Sequence, residues 1–281
     1  MKLGQIHWNK QLTAAVFGKD GAHPIPDHTV YDLIVRSEKE GVPLKQLAAS
    51  MMAPHAEKAK PLIPIKPREV WACGCTYEMS ASFRDAEHNT REGFYAAVYK
   101  GERPEVFFKG TARVCVGPNE PIGIRCDSKF TAPEPELAVI LGSNGSVVGY
   151  TVANDVSAWD IERENPLYLP QSKTYTACCS LGPLIVTPDE IPEPRALDMT
   201  CTITRGAAKT FEGSTSTSKL GRTIERLIEF LMRANPVPAG SVLLTGTGII
   251  VTQEAALAEG DVVEIAVPQI GTLSNPAIVV H

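Results

Sequence analysis

No stretch of the chain approaches the roughly 20 consecutive apolar residues that a bilayer-spanning helix requires, so a membrane span is not expected. The opening residues, MKLGQIHWNK, lack the apolar core of a secretory signal. A concentrated basic face is missing too. The 27 Lys and Arg are outnumbered by 32 Asp and Glu, for a formal charge of −5 with no long run of either sign, which argues against a nucleic-acid partner. Cysteine is sparse and odd in number: Cys73, Cys75, Cys115, Cys126, Cys178, Cys179 and Cys201. They form no pair of CxxC modules that would hold zinc. The adjacent Cys178 and Cys179 cannot pair comfortably and read as small buried side chains. A soluble cytoplasmic protein with reduced thiols is the expectation.

What the chain does have is strand-like segments. EVWACGC, EVFFKG, ELAVILG, VVGYTVANDV, GPLIVTP, MTCTITRG, GSVLLTGTG and DVVEIAV are short apolar runs bounded by turn residues. Residues 27 to 41 suit one helix, with Asp27 as its cap, a stripe of Val30, Leu33 and Ile34, and Gly41 as its stop. Thr223 to Ala234 suits a second, stopped by Pro236, and another is expected from near Tyr77 towards Thr90. The proline-bearing stretch from Ile161 to Tyr175 reads as an ordered loop. Pro61, Pro64 and Pro67 preclude a continuous helix and mark a boundary between a small N-terminal domain, 1–65, and a main domain, 66–281.

Glu134 and Glu136 stand at the mouth of the apolar run LAVIL. In an extended segment they point to the same side, and two carboxylates so placed repel unless a positive centre joins them. Either one alone reads as a solvated strand edge. Asp155, nineteen residues on, offers a third oxygen donor, and Lys173 follows eighteen residues later. An all-oxygen trio suits a hard divalent cation such as magnesium. The absence of His and Cys from the trio makes zinc or copper a poorer match.

These four residues, with the Thr245–Gly248 stretch TGTG, resemble the metal-binding core of the fumarylacetoacetate hydrolase superfamily over about residues 70 to 267. The resemblance implies a strand-dominated α+β fold, a mixed β-roll with a small N-terminal domain, forming a homodimer or homotetramer. It implies Mg2+, with Mn2+ or Ca2+ as alternatives, held by Glu134, Glu136 and Asp155, and a small-molecule 2-oxo acid substrate. Such an acid can chelate a cation through its carboxylate and keto oxygens, and the cation then stabilises an enolate. Lys173 would be a second positive centre or, if burial lowers its pKa, a proton carrier.

Several reactions share that enolate. Acylpyruvase-like hydrolases place a His in the segment that here reads CGCTYEMSASFRDAEHNT; Ser80 takes that position, and His88 lies further along. RENPLYLPQSKTY, RPEVFFKG and TGTGIIV resemble instead the sugar-acid dehydratases of the superfamily. This implies a metal-dependent lyase that dehydrates a 2-keto-3-deoxy sugar acid, such as 2-keto-3-deoxy-D-arabinonate. After C3 loses a proton and the C4 hydroxyl leaves, tautomerisation and loss of a further hydroxyl would give 2-oxoglutarate semialdehyde. A C–C hydrolase or oxaloacetate decarboxylase on the same metal is the alternative, and a non-catalytic 2-oxo acid binder is another. Glu105 is the candidate acid for the departing hydroxyl, or else a salt-bridge partner of Arg103 or Lys109. Arg84 and Ser82 are candidates to hold a carboxylate or hydroxyl, and Gln171 to read a hydroxyl or brace its loop. Thr247 sits in a glycine-rich turn open to close approach by a ligand; no GKS or GKT makes that turn a phosphate loop.

Overall fold

The computed structural model describes residues 1–87 and 93–281. Three antiparallel strands open the chain, β1 (Lys2–Trp8), β2 (Gln11–Phe17) and β3 (Ala22–Ile25), followed by helices α1 (Val30–Glu40) and α2 (Leu44–Met51). Strand β4 (Val70–Gly74) leads into α3 (Glu78–Glu87), and α4 (Phe94–Lys100) returns to β5 (Glu105–Gly110). Three short strands come next, β6 (Cys115–Val116), β7 (Ile122–Arg125) and β8 (Thr131–Ala132). The long hairpin of β9 (Pro135–Leu141) and β10 (Val147–Asp155) runs on into β11 (Ser157–Ala158), α5 (Trp159–Glu164) and α6 (Leu169–Lys173). Then come β12 (Cys179–Val186), β13 (Asp198–Arg205), β14 (Ala208–Ser216), α7 (Ile224–Met232), β15 (Ser241–Thr247), β16 (Val262–Val267) and β17 (Gly271–Val280).

One ten-stranded sheet runs β3-β2-β1-β12-β10-β9-β15-β4-β5, with β6 added in parallel on β12. A second sheet, β14-β13-β16-β17-β7, packs on one of its faces. The central strand β9 is buried on both faces. Leu137, Val139 and Leu141 meet the second sheet and the apolar side of α7, while Ala138 and Ile140 join the core beneath α1 and α2. Period-two alternation between two apolar layers explains why PELAVIL reads as one unbroken apolar run. The protein is a strand-dominated α+β fold, and its sheets do not close into a barrel among the described residues.

The first 65 residues share this sheet with the remainder. β1 pairs with β12, placing Leu3 opposite Ile185, and the Thr187 hydroxyl accepts a 2.7 Å hydrogen bond from the Met1 ammonium. The expected helix at 27–41 begins later than Asp27. Thr29 is its cap: its hydroxyl accepts from the Asp32 amide while Asp32 accepts from the Thr29 amide, a reciprocal arrangement that satisfies two otherwise orphaned donors. Asp27 instead has a φ of 60° in the turn before it. Gly41 closes the helix in the left-handed region, at a φ of 66°. Helix α7 starts after Thr223, which caps it. The stretch from Ile161 to Tyr175 is not a loop but largely two short helices. The Asn165 side chain accepts from the Leu167 amide, and Pro166 and Pro170 occupy first-turn positions, where a missing N–H costs nothing. The expected end of the third helix near Thr90, and His88, lie outside the described residues.

Candidate active site

Antiparallel pairing of β9 with β10 assembles the acids. Glu136 lies opposite Ala153, and the Asp155 amide donates to the Glu134 carbonyl at 2.9 Å. Asn154 braces the corner by accepting the Glu134 amide at 3.0 Å. One carboxylate oxygen from each of Glu134, Glu136 and Asp155 lies within 4.8 Å of the others, and all three side chains are buried. Glu136 also accepts the Gly246 amide at 2.5 Å. Only glycine fits there: φ is 93°, and a Cβ would sit 2.0 Å from the Thr76 hydroxyl.

Three buried cations surround the trio. Lys173, at the end of α6, donates to Glu134 at 2.9 Å, to Asp155 at 3.3 Å and to the Ser157 hydroxyl at 2.7 Å. Lys109, on β5, is fully buried, 2.5 Å from the other oxygen of Asp155 and 3.0 Å from the Val156 carbonyl. Arg84, on α3, stands 3.9 Å from Glu134, 3.6 Å from Glu105 and 3.4 Å from Glu162. Trp159 donates its indole N–H to Glu134 at 2.8 Å. Among the described residues these three bases are shared by the carboxyls of Glu134, Glu136, Asp155, Glu105 and Glu162, where charge is costly to leave uncompensated.

The acids differ in how their surroundings shift them. Burial, and then the charges of Asp155 and Glu134, push the Glu136 carboxyl well above its ordinary range. Asp155 is held low despite burial, because Lys109 and Lys173 flank it. Burial works against a charge on Lys173, yet Asp155 and Glu134 outweigh it and keep the ammonium. Burial alone therefore does not make this lysine a ready proton carrier. An oxygen-only set of three converging, buried carboxylates fits one hard divalent cation.

Glu105 enters β5 from the opposite side of Arg84. Its pairing differs from the sequence expectation: Arg103 lies over the Phe230 ring at 5.3 Å and Lys109 is taken by Asp155, so Arg84 is the cation beside Glu105. Burial raises the Glu105 pKa, with Arg84 opposing. Gly74 makes room for it, since a Cβ there would lie 1.9 Å from the Glu105 carboxylate. Glu105 and Glu162 line a cavity of about 390 Å3, walled by Phe94, Tyr95, Val98 and Leu169. Thr247 is buried next to Glu136 by the pairing of β15 with β9.

Two candidates stand apart. Ser82 is on the exposed side of α3, and Gln171 exposes its side chain while its backbone carbonyl accepts from Arg125. Ser80 is buried in α3. Arg84 is brought in as expected, but onto carboxylates of the protein itself. Sequence reading missed Lys109 as a site residue, although EVFFKG puts Glu105, Phe107 and Lys109 on one side of a strand. It also missed Glu162, which fell in the Ile161–Tyr175 stretch read as a loop.

The family model for the fumarylacetoacetate hydrolase C-terminal domain matches residues 76–278. The chain belongs to the fumarylacetoacetate hydrolase family. Within it, the chain is 51% identical over 217 residues to a 2-dehydro-3-deoxy-D-arabinonate dehydratase of Saccharolobus solfataricus, covering 76% of this chain and 72% of that protein. A Haloferax volcanii protein named "Probable 2-keto-3-deoxyxylonate dehydratase" is 46% identical over 213 residues, 76% of this chain and 73% of its own. The solved structure of a 2-keto-3-deoxy-D-arabinonate dehydratase complexed with magnesium and 2,5-dioxopentanoate superposes with a TM-score of 0.85 at 39% identity, over 100% of both chains.

Proposed function

We propose that this protein is a magnesium-dependent dehydratase that converts 2-keto-3-deoxy-D-arabinonate to 2,5-dioxopentanoate, the semialdehyde of 2-oxoglutarate. The observation that carries the reading is the convergence of the buried carboxylates of Glu134, Glu136 and Asp155, beside a cavity that holds a second pair of acids. The activity of the Saccharolobus and Haloferax relatives supports it. Their two substrate names are chemically compatible. Once C2 is a ketone and C3 a methylene, the D-series arabinonate and xylonate derivatives share a single stereocentre, at C4.

A divalent cation among the three carboxylates would act as a Lewis acid toward the keto and carboxylate oxygens and, by taking up the charge of Glu134 and Asp155, would loosen their hold on the Lys173 proton. The chain's residues do the rest. Lys173 removes a proton from C3. Glu105, whose pKa burial raises, gives a proton to the C4 hydroxyl, since hydroxide itself leaves poorly. Arg84 spans the metal-side acid Glu134 and the cavity-side acids, which places it to hold substrate between them; Thr247 adjoins the same face. The exposed Ser82 and Gln171 would reach a ligand only after the segments carrying them move.

Atom balance corrects one expectation: the semialdehyde needs loss of one water, not of a further hydroxyl. The C5 hydroxyl oxygen becomes the aldehyde oxygen once the double bond migrates. Hydrolysis is the poorer match, because Ser80 offers no base where the hydrolases carry a histidine. A homodimer or homotetramer in the cytoplasm completes the reading, supported by family membership and by seven cysteines that are all free thiols. Purified protein with magnesium and 2-keto-3-deoxy-D-arabinonate should release the aldehyde. Rapid cleavage of acylpyruvates with no aldehyde would transfer the protein to the hydrolases.

A further inference from the structure

The proposed dehydration leaves an unfinished problem of chemistry. Loss of water across C3 and C4 gives 5-hydroxy-2-oxopent-3-enoate, an unsaturated keto acid whose C5 is still an alcohol. To become the aldehyde, C5 must lose a carbon-bound proton while C3 and C4 each gain one. Lys173 and Glu105 account for the water, and Glu105, once deprotonated, can take the C5 hydroxyl proton; a second carboxylate at that end would take the carbon-bound C5 proton.

Resting on the dehydratase reading, we propose that Glu162 is a further catalytic residue, the base that carries a proton from C5 to C4 and so completes the isomerisation. Glu162 and Glu105 are the two acids that line the cavity beside the metal-side cluster. Both approach the same nitrogen of Arg84, at 3.4 Å and 3.6 Å, so their carboxylate oxygens lie no more than about 7 Å apart. The other nitrogen of Arg84 is 3.9 Å from Glu134. The guanidinium therefore divides the acids: Glu134 beside one nitrogen, on the side that would hold C1 and C2, and Glu105 and Glu162 beside the other, where C4 and C5 would extend. The first residues of α5 put Glu162 there, with the carboxylate turned inward and only 2% of the residue exposed.

The protons balance. Lys173 takes one from C3, and Glu105 gives one to the C4 hydroxyl, which leaves as water. Glu162 then takes a C5 proton; the electrons of that C–H bond form C4=C5 and push the conjugated system onto the keto oxygen. Lys173 returns its proton to C3, which restores the ketone and leaves an enol at C5. The enol collapses to the aldehyde as Glu162 delivers its proton to C4 and Glu105 recovers one from the C5 hydroxyl. One water leaves, and all three side chains end as they began.

The test uses Glu162→Gln with magnesium and 2-keto-3-deoxy-D-arabinonate, following both carbon products by NMR. The variant should still consume substrate and build up the unsaturated keto acid, with aldehyde formation reduced about 100-fold, in the range expected for loss of a general base. Unchanged magnesium affinity by calorimetry would show that the fold and the metal side are intact. If the variant consumes nothing, it is given the synthetic unsaturated acid: the parent should convert it to the aldehyde and the variant should not. Aldehyde from the variant at the parental yield and rate, with no unsaturated acid at any time, overturns the assignment of Glu162 alone. A parent protein that makes aldehyde from neither compound instead overturns the dehydratase reading beneath it.

Discussion

Lys109 and Asp155 lie 2.5 Å apart although their strands, β5 and β10, are four places from each other in one sheet. Laid flat, strands at that separation would be about 19 Å apart. The sheet must therefore coil until its β5 edge comes back over β10, and β6, just after β5, continues the turn by pairing with β12. The site occupies the inside of that roll. Its charges are buried because the sheet itself wraps them, and a right-handed twist accumulated over many strands makes such wrapping available.

Removing Lys109 should unbalance this centre. Lys109→Met leaves one oxygen of a buried carboxylate without its cation, a change that costs about 3–5 kcal/mol when a buried pair loses one partner. Chemical denaturation should show that loss, and added magnesium should restore more stability to the variant than to the parent, because it supplies positive charge that the variant lacks.

The three acids and Lys173 separate metal binding from turnover. Asp155→Asn should weaken magnesium binding beyond the roughly 10–100-fold that losing a partner behind a ligand costs. Lys173→Ala should keep the metal and lower kcat by about 10²–10⁴-fold, the range for removing a proton-transfer group. Calorimetry for magnesium and an aldehyde assay, run side by side, distinguish the two.

Gly74 should matter chiefly through Glu105, with Arg84 Nη1 the next atom a Cβ would meet, at 3.2 Å. A Cβ at Gly74 would meet the Glu105 carboxylate at 1.9 Å and force it aside. Gly74→Ala should lower kcat by about 100-fold, the penalty for displacing a reacting group by an ångström or so. Its magnesium affinity should match that of the parent.

Activity should fall as pH rises through the raised pKa of Glu105. The group must carry a proton to act as the acid, and burial keeps that proton on above the ordinary carboxyl range. In stability the sign is the same. The folded state binds more protons than the unfolded one between the two pKa values, so this group's contribution declines with rising pH across that window. Glu105→Gln should abolish the high-pH limb of the kcat profile along with most of the rate. A limb that persists in the variant assigns it to another group.

Much of the site was legible along the chain. Glu134 and Glu136 share a side because strands alternate, and Asp155 joins them because it ends the next strand of the same hairpin. Local spacing suffices when partners are hydrogen-bonded neighbours. Lys109 and Glu162 were not legible in that way. A lysine in EVFFKG and a glutamate in WDIERE look like ordinary solvated charges until distant segments pack around them. The capping residue of α1 was misplaced by two positions, since Asp27 and Thr29 are both good caps and only the reciprocal bond with Asp32 distinguishes them.

By itself, then, the sequence determined the strands, their apolar alternation and the shared side of Glu134 and Glu136, which follow from short-range periodicity; that Asp155 and Lys173 belong with them rested on resemblance to a family motif. Only the tertiary structure decided that Lys109 faces Asp155 and that Arg84 gathers Glu105, Glu134 and Glu162. Those relations depend on how far the sheet coils. That is set by the summed twist and packing of many strands, which no local stretch of residues encodes.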